Sequence, residues 1–591
     1  MASEVTARVV GVLPDVPAID KVFDYLVPAS MDADVRVGTL VRVSLNGRRV
    51  GGWVVRDEGA DARTGRVLQP LAKVTGWGPP AEVVDLASWA AWRWAGRRAS
   101  LLGTASPSNA VRGLPRPPSA TPSGDHKGPS NAPQPPAGTS EREGRELAAG
   151  ALARPTTTLL RLPPSTDPLG VVLAACALGP ALVLFPSIAD AAATATRLRS
   201  AGIAVAIHPR EWAAARAGGV SVVGARAAAW SPIPELAVVV VIDGHDEAYQ
   251  EERAPTWHAR DVAIERAQRA GVPCLIVSPC PDLVMTTSTP TVTASRSAER
   301  AGWPVLDVID RRADDPRTGL FSDRLADALR RHERVVCVLN RKGRARLLAC
   351  ATCGELARCE RCDAAVAHVD DALVCLRCAV SRPPVCAACG AARLNALKLG
   401  VARVRDELEA LVGRAVGEVT VETESIPDAP ILVGTEAVLH RVRSAEAVAF
   451  LDFDQELLAS RYRAAEEALA LLARAGRLVG GRRSGGRVIV QTRVPDHDVL
   501  HAALHGDPTR LATVEAERRA ALRFPPSSAI AVVSGPAAPE LIGRLQGVEL
   551  LGPDGGSWLV RADGHGRLAD AFAEAGRPPG RLRIEVDPLR V

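Results

Sequence analysis

The sequence predicts a multidomain α/β chain: an N-terminal β module, two successive parallel-sheet lobes with a cysteine-rich insertion splitting the second, and a C-terminal α+β domain. Three observations carry this. Short apolar runs alternate with Ala-rich helical stretches over two consecutive segments, the pattern of parallel strands joined by crossover helices. Eight of the twelve cysteines fall between Cys350 and Cys389. The 591 residues are too many for one hydrophobic core and imply roughly three to five domains.

From the N-terminus, residues 1–104 open with β-rich runs at Thr6–Leu13, Thr39–Leu45 and Val50–Val55, punctuated by Gly38, Asn46-Gly47 and Gly51-Gly52. Asn46-Gly47 between two apolar runs predicts a hairpin turn. A helix is expected from Glu82 to about Arg98. Residues 105–155 form the next unit. Its stretch Ser106–Arg145 is crowded with Pro, Ser, Gly and Asn, cannot bury enough apolar surface to order itself, and is expected to be a linker. The first lobe, 156–300, carries strands at Ala181–Phe185, Ile203–Ile207, Val220–Val223, Val238–Ile242 and Cys274–Val277. The second, 301–500, carries Val335–Leu339, Ile431–Val433, Ala447–Leu451 and Val488–Gln491, interrupted at 348–394. Residues 501–591 form the last domain, entered through Phe524-Pro525-Pro526.

Hydrophobic residues make up 47% of the chain, enough for large cores. The net charge of +5 is a weak pull toward anionic partners. Of 72 basic residues only five are lysine, a bias that a GC-rich genome explains as readily as a binding preference. No signal-peptide pattern and no uncharged apolar run of about 18 residues is present, so no membrane association and a cytoplasmic location are expected. Thiols stay reduced there, and the cysteines point to metal or chemistry and not to disulfides.

The cysteines between 350 and 389 form four Cys-x-x-Cys knuckles: 350/353, 359/362, 375/378 and 386/389. A two-residue gap lets both thiolates of a tight turn face one tetrahedral Zn²⁺, and two knuckles complete the shell. Two closed Cys₄ sites, hence two Zn²⁺ per chain, are expected. Cys359, Cys362, Cys375 and Cys378 share one ion in the nested arrangement; Cys350, Cys353, Cys386 and Cys389 share the other. Sequential pairing, 350/353 with 359/362, is the alternative. Cys176, Cys274, Cys280 and Cys337 lie in apolar surroundings and are read as core.

The order of parts resembles the bacterial replication-restart helicase family of primosomal protein N-prime. The likeness is carried by Val22-Phe23-Asp24-Tyr25-Leu26-Val27-Pro28, Val223-Gly224-Ala225-Arg226, Val240-Val241-Ile242-Asp243 and Trp257-His258-Ala259-Arg260-Asp261. Leu339-Asn340-Arg341-Lys342-Gly343, Val433-Gly434-Thr435, Phe524-Pro525-Pro526 and Val586-Asp587-Pro588 complete it. The resemblance implies helicase-like lobes, recognition of abandoned or stalled forks, forked or junction DNA as ligand, and primosome proteins and the replicative helicase as partners in the nucleoid. It also implies that residues 1–104 bind a nascent 3′ end through Phe23, Asp24, Tyr25 and Gly38. An aromatic can stack on the last base and a carboxylate can accept from the 3′-hydroxyl. Against this, alternate strand residues share a face, and Phe23 and Tyr25 could equally be β-module core. The family's winged-helix module should follow; here the proline-rich stretch stands in its place.

The nucleotide machinery is eroded. Phosphate cradling needs a Gly-rich loop followed by Lys and Ser/Thr. None of the five lysines follows a glycine, and the matching position reads Leu162-Pro163-Pro164-Ser165-Thr166-Asp167-Pro168. Prolines remove N–H donors, and Asp167 adds negative charge. The acidic motif reads Asp243-Gly244-His245-Asp246, without the family's two glutamates, and Glu247 falls out of register. Val438-Leu439-His440 stands where Lys-Gly-His is usual, and the arginine element survives loosely as Arg474, Arg477 and Arg482. ATP binding is therefore not expected. The expected function is a restart scaffold without helicase activity. The alternatives are an active ATP-dependent 3′–5′ helicase with a degenerate site, and a zinc-ribbon nucleic-acid protein unrelated to restart.

Overall fold

The computed structural model describes residues 8–16, 19–57, 59, 68–118, 139–314, 320–339, 347–396, 404–420 and 422–591. Strands β1 (Val9–Pro14), β2 (Phe23–Leu26), β3 (Leu40–Leu45), β4 (Arg48–Asp57) and β5 (Lys73–Gly76) form an antiparallel sheet in the order β2-β1-β4-β3-β5. The Leu71 N–H donates to the Leu26 carbonyl and the Leu26 N–H to that of Gln69, so β2 also meets the approach to β5 and the sheet curls closed. Alternate side chains, among them Val10, Val12, Tyr25, Val41, Val43 and Val54, fill its interior. Asn46 and Gly47 take φ of 48° and 76°, as a two-residue hairpin turn demands.

The helix expected over Glu82–Arg98 is two helices, Ala81–Arg93 and Arg98–Ala105. Ala95 adopts φ 46°, and a Cβ on Gly96 would lie 2.5 Å from the Pro255 ring, so the chain turns there to let lobe 1 approach.

The linker reading of 105–155 needs correction at both ends. Val111 accepts from the Trp77 N–H at 2.7 Å, and Ser106 Oγ from Trp53 Nε1 at 2.8 Å. Residues Thr139–Ala151 form a helix that, with Leu152, seats Ala148 and Leu152 in the lobe 1 core. Leu147, Ala148, Ala151 and Leu152 make an apolar stripe at helical spacing, which the surrounding polar composition hid. Residues 119–138 of that segment lie outside the described residues.

Lobe 1 is a parallel sheet of β6 (Thr157–Arg161), β7 (Ala181–Leu184), β8 (Val205–Ile207), β9 (Ser221–Gly224), β10 (Val238–Ile242), β11 (Cys274–Val277) and β12 (Thr291–Thr293), in the order β12-β6-β11-β10-β7-β9-β8. Lobe 2 begins with β13 (Val305–Asp310) and β14 (Val335–Val338). Its insertion follows: β15 (Leu348–Cys350), β16 (Val366–Val369), β17 (Ala372–Cys375), β18 (Ser381–Arg382) and β19 (Leu394–Ala396). β15 pairs antiparallel with β19, so the insertion leaves and re-enters through one neck. Asn340, Arg341, Lys342 and Gly343 lie outside the described residues. Then β20 (Val416–Val419), β21 (Ile431–Gly434), β22 (Ala447–Phe450) and β23 (Arg487–Thr492) complete a parallel sheet ordered β13-β23-β22-β14-β21-β20. Both lobe sheets are covered on two faces by apolar side chains, as all-parallel sheets require.

The helices Asp498–His505 and Thr509–Leu522 pack Val499, Leu500, Ala502, Ala503 and Leu511 into the lobe 2 core, so the expected boundary at 501 falls inside a lobe 2 helix. Beyond Phe524, β24 (Ala529–Ser534), β25 (Glu549–Asp554), β26 (Ser557–Ala562) and β27 (Arg583–Val586) form an antiparallel sheet ordered β25-β26-β24-β27. This sheet shares one core with the helix Ala81–Arg93 and lobe 1. Asp587 is stitched to Arg93 (2.8 Å), His565 (2.8 Å) and, through its carbonyl, Gln250 (2.6 Å), while the Val586 carbonyl accepts from Thr256 Oγ1 (2.8 Å). Among the described residues, no helix is long and apolar enough to cross a membrane.

Candidate metal, nucleotide and DNA-end sites

The four knuckles share one backbone design. In each, the residue after the second cysteine takes a left-handed φ: Gly354 75°, Asp363 61°, Ala379 58° and Gly390 73°. Its N–H donates back to the carbonyl of the first cysteine at 2.9–3.0 Å. That turn points both sulfurs the same way. Cys350, Cys353, Cys386 and Cys389 gather in one group, and Cys359, Cys362, Cys375 and Cys378 in another, each with its sulfurs within 4.8 Å of one another. Closest contacts are 3.5 Å for Cys350–Cys389, Cys359–Cys378 and Cys362–Cys375, and 3.6 Å for Cys353–Cys386. These are far longer than a disulfide and near the ~3.8 Å edge of a tetrahedron built on ~2.3 Å metal–sulfur bonds. The donor set therefore fits a soft, four-coordinate ion such as zinc. A hydrogen bond from Cys362 and backbone N–H groups of Cys378 and Arg377 hold the Cys375 thiol below its ordinary range, while the Cys362 thiol that donates to it is pushed up. Cys274 and Cys337, buried in the lobe cores, are instead pushed up to about 12 by desolvation.

Between the lobes, the backbone N–H groups of the chain leaving β6 are satisfied within the protein. Ser165 N–H is spent on the Gly302 carbonyl (3.2 Å), Thr166 N–H on that of Pro163 (3.0 Å), and Leu169 N–H on the Asp167 carboxylate (2.9 Å). Asp167 is itself paired with Arg197 at 2.6 Å. A Cβ on Gly302 would meet the Pro163 ring at 2.5 Å, and one on Gly476 of lobe 2 would sit 3.5 Å from Pro164. The prolines are thus wedged against the strand-13 approach and the helix Ala464–Val479.

Asp243 ends β10 with φ 53° and is 4% exposed. From lobe 2, Arg477 donates to both of its oxygens, one at 2.8 Å. Burial pushes the Asp243 carboxyl up, but the guanidinium outweighs it and holds the group well below the usual carboxylate range. Two further contacts cross the same seam: Glu466 accepts from the Leu283 N–H at 2.6 Å, and Arg463 lies 3.6 Å from Asp282, which also pairs with Arg260 at 2.6 Å. Glu247 faces Glu467 across the lobes. Of the other arginines in the loose element, Arg474 contacts His440 and Arg482 donates to the Leu504 carbonyl at 2.5 Å. Reading the sequence did not find the Arg477–Asp243 pair. An acid at a strand's C-terminal end and an arginine-rich helix in the next lobe were its only traces.

In the N-terminal barrel, Tyr25 points inward and is 4% exposed, its hydroxyl donating to the Ser44 carbonyl at 2.9 Å. Phe23 is half-buried on the same face, with Lys21 Nζ 5.6 Å from its ring. Asp24 faces out and pairs with Arg56 at 2.8 Å. Gly38 stands apart from β2, in the turn into β3. It takes φ 92°, and a Cβ there would lie 1.7 Å from the Pro79 carbonyl oxygen, so backbone contact alone requires glycine. The structure places Phe23, Asp24 and Tyr25 together and assigns packing to two of the four residues.

Residues 11–107 match the family described as 3′DNA-binding domain (3′BD). The chain is 30% identical to the probable replication restart protein PriA of Mycobacterium tuberculosis, over 96% of this chain and 91% of that protein. It is 28% identical to the replication restart protein PriA of Thermotoga maritima, over 58% of this chain and 51% of the relative. Among solved structures, a DEAD box protein from Methanococcus jannaschii overlays 62% of this chain and 89% of its own at a TM-score of 0.32 and 9% identity, too loosely to add to the topology above.

Proposed function

Because the chain belongs to the PriA replication-restart family, we propose that it binds abandoned or stalled replication forks and promotes primosome assembly and reloading of the replicative helicase, its two lobes serving as a scaffold and not as an ATP-driven motor. The DNA-binding half of this reading is supported by the match over residues 11–107. In it, the outward Asp24 carboxylate accepts from the 3′-hydroxyl of a nascent strand and exchanges Arg56 for it. The open part of the Phe23 ring meets the last base. Tyr25 and Gly38 hold the barrel wall behind them. The two cysteine groups hold Zn²⁺, which in closed Cys₄ shells supplies shape and no open position for substrate. The remaining partners are forked or junction DNA, primosome proteins and the replicative helicase, in the cytoplasm at the nucleoid.

One observation carries the non-motor half: Arg477 sits on Asp243, the residue that would otherwise serve a nucleotide-bound magnesium ion. The spent N–H groups of Ser165, Thr166 and Leu169 support it. The test assays fork binding and DNA-stimulated ATP hydrolysis on one preparation, beside Asp243→Ala as the control for contaminating helicases. Fork binding that exceeds plain-duplex binding, with hydrolysis no higher than in the control, is expected. Robust hydrolysis that disappears in Asp243→Ala replaces this reading with an active helicase.

A further inference from the structure

We propose that the outward face of the β3–β4 hairpin, with β5 beside it, binds the sugar–phosphate backbone of duplex DNA. The choice of DNA over other polyanions rests on the restart reading above; the surface itself rests on geometry.

Val41 and Val43 point into the barrel, so Arg42 and Ser44 point out. Arg42 stands directly opposite Lys73 on β5, and Ser44 opposite Arg49 on β4. Arg42, Lys73 and Arg49 therefore share one face as cross-strand and diagonal neighbours, roughly 5 and 7–8 Å apart. Arg48, opposite Leu45, projects to the other face and is not part of this row. All three are exposed, and among the described residues none has an ion pair or side-chain hydrogen bond. This contrasts with Arg8, Arg56 and Arg98 of the same module, each of which has an aspartate partner. One acid borders the row: Asp15, whose Cβ lies 3.9 Å from where a Cβ on Gly51 would sit. Like charges placed directly opposite each other destabilise a sheet, so the arrangement has no benefit to the isolated fold.

Gly51 makes a second, independent point. It lies opposite Arg42, next to Arg49's strand position, and has no positive φ. Apart from Asp15 Cβ, nothing comes within 4 Å of a Cβ built there. The protein's own packing does not require glycine. What glycine leaves is bare backbone between two arginines, where another molecule can approach closely. Gly47, at the tip, likewise has open space around it. Trp53, in register on this face, is buried in the core shared with the helix Ala81–Arg93, so among the described residues the exposed part offers no aromatic stacking platform for single strands and suits a duplex backbone.

The test is anisotropy of the full chain with a blunt duplex of about 20 base pairs across a salt series. Each neutralised phosphate contributes about 0.9 to the slope of log affinity against log salt, so Arg42→Ala/Arg49→Ala should lower that slope by about 1.8 and weaken low-salt binding on the order of tenfold. Gly51→Leu, whose Cβ meets only Asp15 Cβ at 3.9 Å, should weaken binding severalfold with an unchanged thermal midpoint. An unchanged slope in the double variant overturns the proposal. So does a slope change seen only with single-stranded DNA, or a wild-type chain without salt-dependent duplex binding. Loss of fork preference with the duplex slope intact overturns the restart reading and leaves this surface standing.

Discussion

Asp243 and Arg477 are 234 positions apart, yet they meet with two hydrogen bonds. The carboxyl's folded pKa lies below its unfolded value, so the pair's stabilisation is fully present above the unfolded pKa and is lost only as pH falls toward the folded one. At neutral pH it is constant. Arg477→Ala strands a buried carboxylate and should cost roughly 3 kcal/mol in urea unfolding, the low end for a broken buried pair because the arginine is 36% exposed. A loss below about 0.5 kcal/mol, the range of a surface ion pair, would show that the contact does not hold the seam. Glu247 has the opposite sign. Burial, and then the carboxylate of Glu467, push it up to about 8. Its share of stability is complete below its unfolded value of 4.5 and erodes as pH climbs to about 8. The thermal midpoint should fall across that window, and Glu247→Gln should flatten the fall; parallel curves for the two proteins would exclude the carboxylate pair as its source. Neither pair was visible in the sequence, because each joins residues from different lobes and no periodicity connects them.

The knuckles repeat at the level of the element, and their spacing makes the nested grouping legible in the sequence. Twelve intervening residues suffice for the β16–β17 hairpin that brings 359/362 back to 375/378. Purified protein should carry two zinc ions per chain by metal analysis. Cys359→Ser should release one and leave the other, while Cys386→Ser should release the second. Coupled loss from Cys359→Ser and Cys353→Ser would mean the knuckles pair sequentially in solution. Strands were legible where they are central: Val238–Ile242 and Cys274–Val277 match their predicted ranges because strands buried on both faces read as unbroken apolar runs. Of the six strands not anticipated in the three large sheets, β2, β5, β12, β13 and β20 all lie at sheet edges. Edge strands mix polar and apolar residues, as Val305-Leu306-Asp307-Val308-Ile309-Asp310 does, and lose the signal.

For the whole molecule, the seam between the lobes predicts indifference to nucleotide. A ligand present at a hundred times its dissociation constant adds about 2.7 kcal/mol to stability and raises the thermal midpoint by several degrees. Millimolar ATP with magnesium should produce no such rise, with or without DNA; a clear upward shift would place a working nucleotide site in the chain. The stitching of Val586 and Asp587 to Arg93, Gln250 and Thr256 has a consequence in time. The helix Ala81–Arg93 and lobe 1 are synthesised hundreds of residues before the strand that joins them to the C-terminal sheet. During translation the Arg93 guanidinium and the Gln250 amide therefore wait without their acceptors, and the apolar side chains of the shared core wait with them. Synthesis proceeds residue by residue at a finite rate, so this half-built surface persists for many seconds on each ribosome. It is the state of the chain most open to chaperones and proteases, and the arrival of Asp587 is the event that closes it.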